Sequence, residues 1–119
     1  MCIAIKGIVT VLGSGSQGAA WREGNNALEF TALVKIGGIT PAGALQAGTI
    51  NAATEMRWGN DIDSITKGKF AYIVAVSGDP LADISETERV KFVMKGGEVF
   101  RNDLAPGTIG SMTLSGEIR

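Results

Sequence analysis

The chain has 119 residues, 45% of them hydrophobic and 19% charged, with 11 Lys and Arg against 12 Asp and Glu. That length builds one modest domain, the apolar fraction is too high for a disordered chain, and a net charge of -1 makes no electrostatic case for nucleic acid or an anionic membrane. The absence of His removes a Ser-His-Asp triad, His-based acid–base steps and His-ligated zinc, and one Cys excludes an internal disulfide. In chain order, Met1 to Leu12 (MCIAIKGIVTVL) comes first. Lys6 and Gly7 interrupt the apolar run a signal peptide needs, and the stretch is far short of the roughly 20 residues that cross a bilayer. The expectation is a buried strand in a cytoplasmic protein, with Cys2 as an ordinary small apolar residue.

Ile8-Val9-Thr10-Val11-Leu12 is continuous and β-branched, as in a strand covered on both faces of a parallel sheet. Gly13-Ser14-Gly15-Ser16-Gln17-Gly18 breaks it. Ala27, Phe30, Leu33, Val34 and Gly37 then fall at helical steps, with Glu29 and Lys35 on other faces and Gly37-Gly38 as the stop. Thr40 and Pro41 open a second helix as N-cap and first helical residue. Leu45, Thr49, Ala52, Ala53 and Met56 carry it toward Trp58-Gly59, and its many Ala and Gly residues suit close packing. Phe70 to Val76 reads as a strand ended by Ser77-Gly78-Asp79-Pro80. Val90 to Met94 and Glu98 to Phe100 flank Gly96-Gly97, a hairpin signal because a tight turn needs positive φ at its centre. The tail from Asp103 either forms a last strand around Ile109 to Leu114 or stays irregular.

The glycine loop is formally G-x-G-x-x-G after a strand, the arrangement that aims backbone amides at a pyrophosphate. That reading also requires a second parallel strand about 20 residues on, ending in an acidic residue. The next segments here are helical, so a loop at a strand end is the better reading and phosphate binding through residues 13–18 the weaker alternative. Asp61, Asp63, Asp79 and Asp83 do not have the spacing of a calcium loop, and Asp79-Pro80 reads as a turn. Trp21 and Trp58 read as core or interface packing.

Gly38-Ile39-Thr40-Pro41 followed by Ala44-Leu45-Gln46-Ala47-Gly48-Thr49-Ile50-Asn51-Ala52-Ala53 resembles a segment of the amidohydrolase superfamily, "G-[ML]-T-P-x-x-A-L-x-A-x-T-x-N-A-A". The likeness is to its imidazolonepropionase-like and Xaa-Pro dipeptidase-like branch. Ile62-Asp63-Ser64-Ile65-Thr66-Lys67-Gly68-Lys69 with Ala71 to Val74 resembles that branch's "I-G-S-I-x-x-G-K-x-A-D-[IL]-V", with Tyr72 in place of the usual Asp. Gly78-Asp79-Pro80-Leu81-Ala82-Asp83-Ile84 and Val90 to Gly97 match its C-terminal pattern, and the likeness runs over about residues 8 to 103.

The resemblance implies an α/β fold. Such proteins are (β/α)8 barrels with a β-sandwich built from both chain ends, and a complete barrel needs at least ~200 residues. This chain would be a C-terminal part: residues 1–59 the last barrel strand and the helices after it, 60–103 sandwich strands with the hairpin, and 104–119 a tail or extra strand. The resemblance also implies one or two divalent metals, typically zinc, bound by His and by an Asp that ends the last strand and takes a proton from the attacking water. That Asp position falls here on Gly15, beside Ser14 and Ser16, and Glu23-Gly24-Asn25-Asn26-Ala27 replaces a downstream "H-G-x-N-A". Ser14, Gly15, Ser16 and Glu23 are thus a degenerate active-site loop, with no catalytic or metal-binding residue expected in this chain. The expected function is the C-terminal portion of a metal-dependent hydrolase for amide and other C–N bonds, inactive alone and partnered by an N-terminal portion. The alternative is a non-catalytic module that associates with itself.

Overall fold

The structure, a computed structural model, describes residues 8–13 and 25–104. Residues Leu28–Lys35 form α1, with Glu29 in the first turn and Lys35 in the last, each complementing the helix dipole. Gly38 has φ +70, so the chain reverses there and the Ile39 N–H reaches back to the Leu33 carbonyl at 3.1 Å. Pro41–Gly48 form α2. Extended Thr40 caps it, its hydroxyl oxygen accepting from the Gly43 N–H at 3.1 Å, and Pro41 occupies a position where no N–H is needed.

The helix expected to run on toward Trp58 breaks at Thr49 (φ -123, ψ -94), and Ile50–Glu55 form a separate α3. Two causes act at the break. Gly48 is a weak helix former followed by β-branched Thr49 and Ile50. The Ala47 carbonyl also accepts a 3.0 Å hydrogen bond from the Leu12 N–H, while the Thr49 hydroxyl turns back onto the Leu45 carbonyl at 2.7 Å. Gly48 is required by close approach, since a Cβ there would stand 2.5 Å from Cζ of Phe30.

Three antiparallel strands follow: β1 (Ile73–Ala75), β2 (Phe92–Lys95) and β3 (Glu98–Asn102), in the order β1-β2-β3. Gly96 and Gly97 both have positive φ (59 and 86), the turn that matches strand twist. Val93 faces Arg101 and Met94 faces Val99, which leaves Phe100 as a bulge. Between β1 and β2 lies the expected Asp79-Pro80 turn. Its Asp79 carboxylate accepts from the Leu81 N–H at 2.9 Å, and the Asp79 carbonyl from the Asp83 N–H at 3.0 Å. A 3-10 helix, Ile84–Glu88, comes next, capped by Asp83 through the Ser85 N–H at 3.0 Å. It lies on α1, where the Thr31 hydroxyl donates to the Glu88 carboxylate. Ile84 thereby enters the main core with Leu33, Ala44 and Ala47, flanked by Leu12, Phe30, Val34, Ile39 and Leu45.

Two further sequence expectations change. Residues 8–12 were expected as a buried strand; residues 8–13 pair with no strand among the described residues, and Ile8 and Val9 are 60% and 72% exposed. Among the described residues the segment's hydrogen bonds run to α2 and α3. The strand expected over Phe70 to Val76 narrows to Ile73–Ala75, because Phe70 is taken by the preceding loop through its N–H bond to the Asp61 carbonyl at 2.7 Å. Of the two places read for Trp58, core or interface, the structure excludes the core, since Trp58 is exposed. The tail beyond Leu104 lies outside the described residues.

Candidate functional site

Ser14, Gly15, Ser16 and Glu23, the expected degenerate active-site loop, lie outside the described residues, as do Trp21 and Gly18 of the glycine loop. The structure does place the segment that leads into that loop. The Leu12 N–H donates to the Ala47 carbonyl at 3.0 Å, and the Asn51 amide donates to the Thr10 carbonyl at 2.8 Å. Asn51 can do this because the break at Thr49 starts α3 afresh and turns its first residues toward residues 8–13. Beside these two contacts runs an open groove of about 410 Å³. Ile8, Val9, Thr10, Ile39, Gly43, Gln46 and Asn51 line it. Among the described residues its lining is apolar with amide and hydroxyl groups and includes no ionisable side chain, so these residues pack and hydrogen-bond but move no proton.

The ionisable chemistry lies elsewhere. In the loop from Arg57 to Phe70, Lys69 Nζ donates to the Gly59 carbonyl at 2.7 Å, to the Ile62 carbonyl at 3.0 Å and to the Asp63 carboxylate. All three ammonium protons are therefore used. Asp63 also accepts from the Ser64 hydroxyl at 2.9 Å. The hydrogen bond from Lys69, then that from Ser64, holds the Asp63 carboxyl below its ordinary value of 3.8. Asp63 has φ +93, a conformation that glycine adopts freely and few other residues adopt at all. It stands where the resembled segment "I-G-S-I" has its Gly, which is the signal in the sequence that marks this position; its partnership with Lys69 had no such signal. A hollow of about 200 Å³, lined in part by Thr49, Ala52, Met56, Ile62, Asp63 and Tyr72, separates this loop from the helices.

A second charged group closes the turn before β2. Arg89 bonds Glu86 at 2.5 Å and reaches Asp83 at 3.4 Å, and Glu86 accepts from the Gly78 N–H at 3.1 Å. Arg89 first of all, then the Gly78 N–H, pulls the Glu86 carboxyl down. Ser85, through its hydroxyl and its N–H, does the same for Asp83. The first cluster pairs one cation with one carboxylate, the second one cation with two, and both lock loops.

These donors do not fit a divalent metal. The chain has no His, and among the described residues no group of three or more His, Cys, Asp or Glu side chains is placed to hold an ion. Asp63 is already claimed by Lys69 and Ser64. No reaction step is derived through a metal on these residues. Among the described residues no helix is long and apolar enough to cross a membrane.

The sequence profile of the amidohydrolase family matches residues 2–100. No curated protein matches the chain. Among solved structures, a Xaa-Pro dipeptidase with bound methionine in the active site is 34% identical, with a TM-score of 0.65 over 68% of this chain and 20% of that one. Molinate hydrolase is 31% identical, with a TM-score of 0.62 over 73% of this chain and 19% of that one. The ochratoxinase of A. niger is 32% identical, with a TM-score of 0.60 over 66% of this chain and 19% of that one. The chain thus spans about a fifth of the length of each of these structures.

Proposed function

The chain belongs to the amidohydrolase family, a TIM-barrel-type family, and from that premise we propose that it serves as the C-terminal portion of a metal-dependent hydrolase acting on amide and other C–N bonds. In this reading residues 8–13 are the last barrel strand, α1 to α3 are the helices that follow it, and β1 to β3 belong to the accompanying sandwich. The observation that carries the reading is the state of residues 8–13. Two hydrogen bonds hold the segment on α2 and α3, while Ile8 and Val9 stay exposed beside an open groove and its backbone pairs with no strand among the described residues. A segment held on one side and exposed on the other suits a barrel completed by a further polypeptide.

The hydrolytic machinery would come from that further polypeptide. What this chain supplies is placement: Ala47 and Asn51 hold the backbone of residues 10–12 on α2 and α3. The substrate-selecting loops of a barrel sit at the ends of several strands, so the single strand end here does not choose among amide substrates. The glycine loop as a phosphate site gains no support from Gly13, its one described residue, which has no atom within 4 Å of where a Cβ would stand.

The test is complementation. The purified chain is assayed on Xaa-Pro dipeptides and simple N-acyl amino acids with and without zinc, alone and after co-expression with the N-terminal four-fifths of a Xaa-Pro dipeptidase. The chain alone gives no turnover. The co-expressed pair gives soluble complex, and Gly15→Asp in this chain raises its metal-dependent turnover. Turnover that follows the chain alone through purification and falls with Glu23→Gln would overturn the reading.

A further inference from the structure

The loop between α3 and β1 brings three oxygens onto one point. The Gly59 carbonyl, the Ile62 carbonyl and the Asp63 carboxylate all accept from the Lys69 ammonium, the two carbonyls at 2.7 and 3.0 Å. Neither carbonyl accepts from a backbone N–H among the described residues. The side chains of Lys69 and Asp63 are mostly buried, at 17% and 8% exposure. Asp63 also stands at φ +93, so the chain keeps a strained residue where it brings a carboxylate to this point. Converging acceptors repel one another unless a cation sits between them. Carbonyl and carboxylate oxygens are also the groups that replace the water shell of a bare metal cation.

We propose that these three oxygens form a site for a monovalent cation, which this chain fills with its own Lys69 ammonium, and that the site takes a free ammonium or potassium ion once that ammonium is removed. Charge and distance set the class of ion. One carboxylate balances one positive charge. The carbonyl distances are hydrogen-bond lengths, longer than the roughly 2.3–2.6 Å of calcium–oxygen or the roughly 2.0–2.1 Å of magnesium–oxygen contacts. Calcium also gathers about six to eight oxygens, twice what this loop offers. The tethered ammonium has a structural task. Next to it the Phe70 N–H bonds the Asp61 carbonyl at 2.7 Å, so the filled site closes the loop that carries the chain from α3 to β1. Without a cation there, the Asp63 carboxylate is left mostly buried and without its countercharge. This inference stands apart from the hydrolase reading: it is decided by melting, that one by turnover.

The experiment is thermal melting, followed by circular dichroism, of the full 119-residue chain and of Lys69→Ala in chloride salts of matched ionic strength. The cations are tetramethylammonium, which is too bulky for the site, then potassium, ammonium and n-propylammonium, which restores the atoms that the substitution removes. In the tetramethylammonium salt Lys69→Ala melts below the parent. Potassium and ammonium narrow that gap, and n-propylammonium narrows it most. The same comparison made in an Asp63→Asn background shows no narrowing, because the charge that holds the ion is gone. A gap of equal size in all four salts overturns the proposal, and so does a narrowing that persists without the Asp63 carboxylate. If Lys69→Ala does not fold, Lys69→Met, which keeps the stem and loses the charged head, decides: a gap narrowed by ammonium ion upholds the site, and an unchanged gap overturns it.

Discussion

The helices and the sheet bury their side chains to very different degrees. In α1, α2 and the 3-10 helix, Leu33, Ala44, Ala47 and Ile84 are nearly sealed from solvent. In the sheet, Phe92 alone is buried among the strand residues, and every residue of β3 is exposed. The cause is composition. Small residues on α2 let α1 and the 3-10 helix approach until one branched side chain, Ile84, fills the space between them. The sheet has nothing of that kind laid over it among the described residues. Among the described residues the buried core thus lies mainly in the helical layer, to which residues 77–91 join the sheet.

This contrast can be broken most directly at Ile84. Ile84→Ala should destabilise by about 2–5 kcal/mol, read from the urea midpoint, because a sealed cavity is left behind. Val99→Ala in β3, a truncation of similar chemistry, should stay within about 0.5 kcal/mol of the parent. Equal losses at the two positions would show that the sheet holds a core of its own. Gly48→Ala comes next. Its new methyl must displace the Phe30 ring, for a loss of about 1–3 kcal/mol, checked by thermal melting and by a shift of the Phe30 ring signals in NMR. Thr40→Ala removes the cap of α2 and should cost about 1 kcal/mol, with Thr40→Ser keeping most of it.

The smallest effect depends on pH. Asp63 has a folded pKa below its ordinary 3.8, so its contribution is fully present above about pH 4 and is lost as the pH falls through the folded value. Asp63→Asn should therefore melt lower than the parent at pH 7, and the gap should close on acidification below pH 4. A gap of constant size down to pH 2 would mean that Lys69 works through the Gly59 and Ile62 carbonyls alone.

What the sequence could disclose follows how local each interaction is. The Thr40-Pro41 cap, the Asp79-Pro80 turn and the Gly96-Gly97 hairpin involve neighbours within a few residues, and all three form as read. The break at Thr49 was hidden because it depends on Leu12, distant in sequence, taking the Ala47 carbonyl. The state of residues 8–13 was hidden for the same reason: a β-branched run says that a strand is preferred, not that a neighbouring strand is present. Of the candidate site, the family segments were legible, and Ser14, Gly15, Ser16 and Glu23 fall outside the described residues. The Asp63–Lys69 lock was missed because two oppositely charged residues six apart in a loop carry no periodic signature.

The hydrogen bond from Asn51 to Thr10 joins residues 41 apart in sequence, whereas the β2–β3 hairpin closes over two. Hairpins form within about 1–10 μs, and a contact across a long loop must first meet a larger closure entropy. Residues 8–13 accordingly dock after the hairpin closes, and their release reopens a long loop. Deuterium uptake at the Leu12 amide, compared with that at Ala44 inside α2, is therefore a clock for that release, and a polypeptide that captures the segment would slow it.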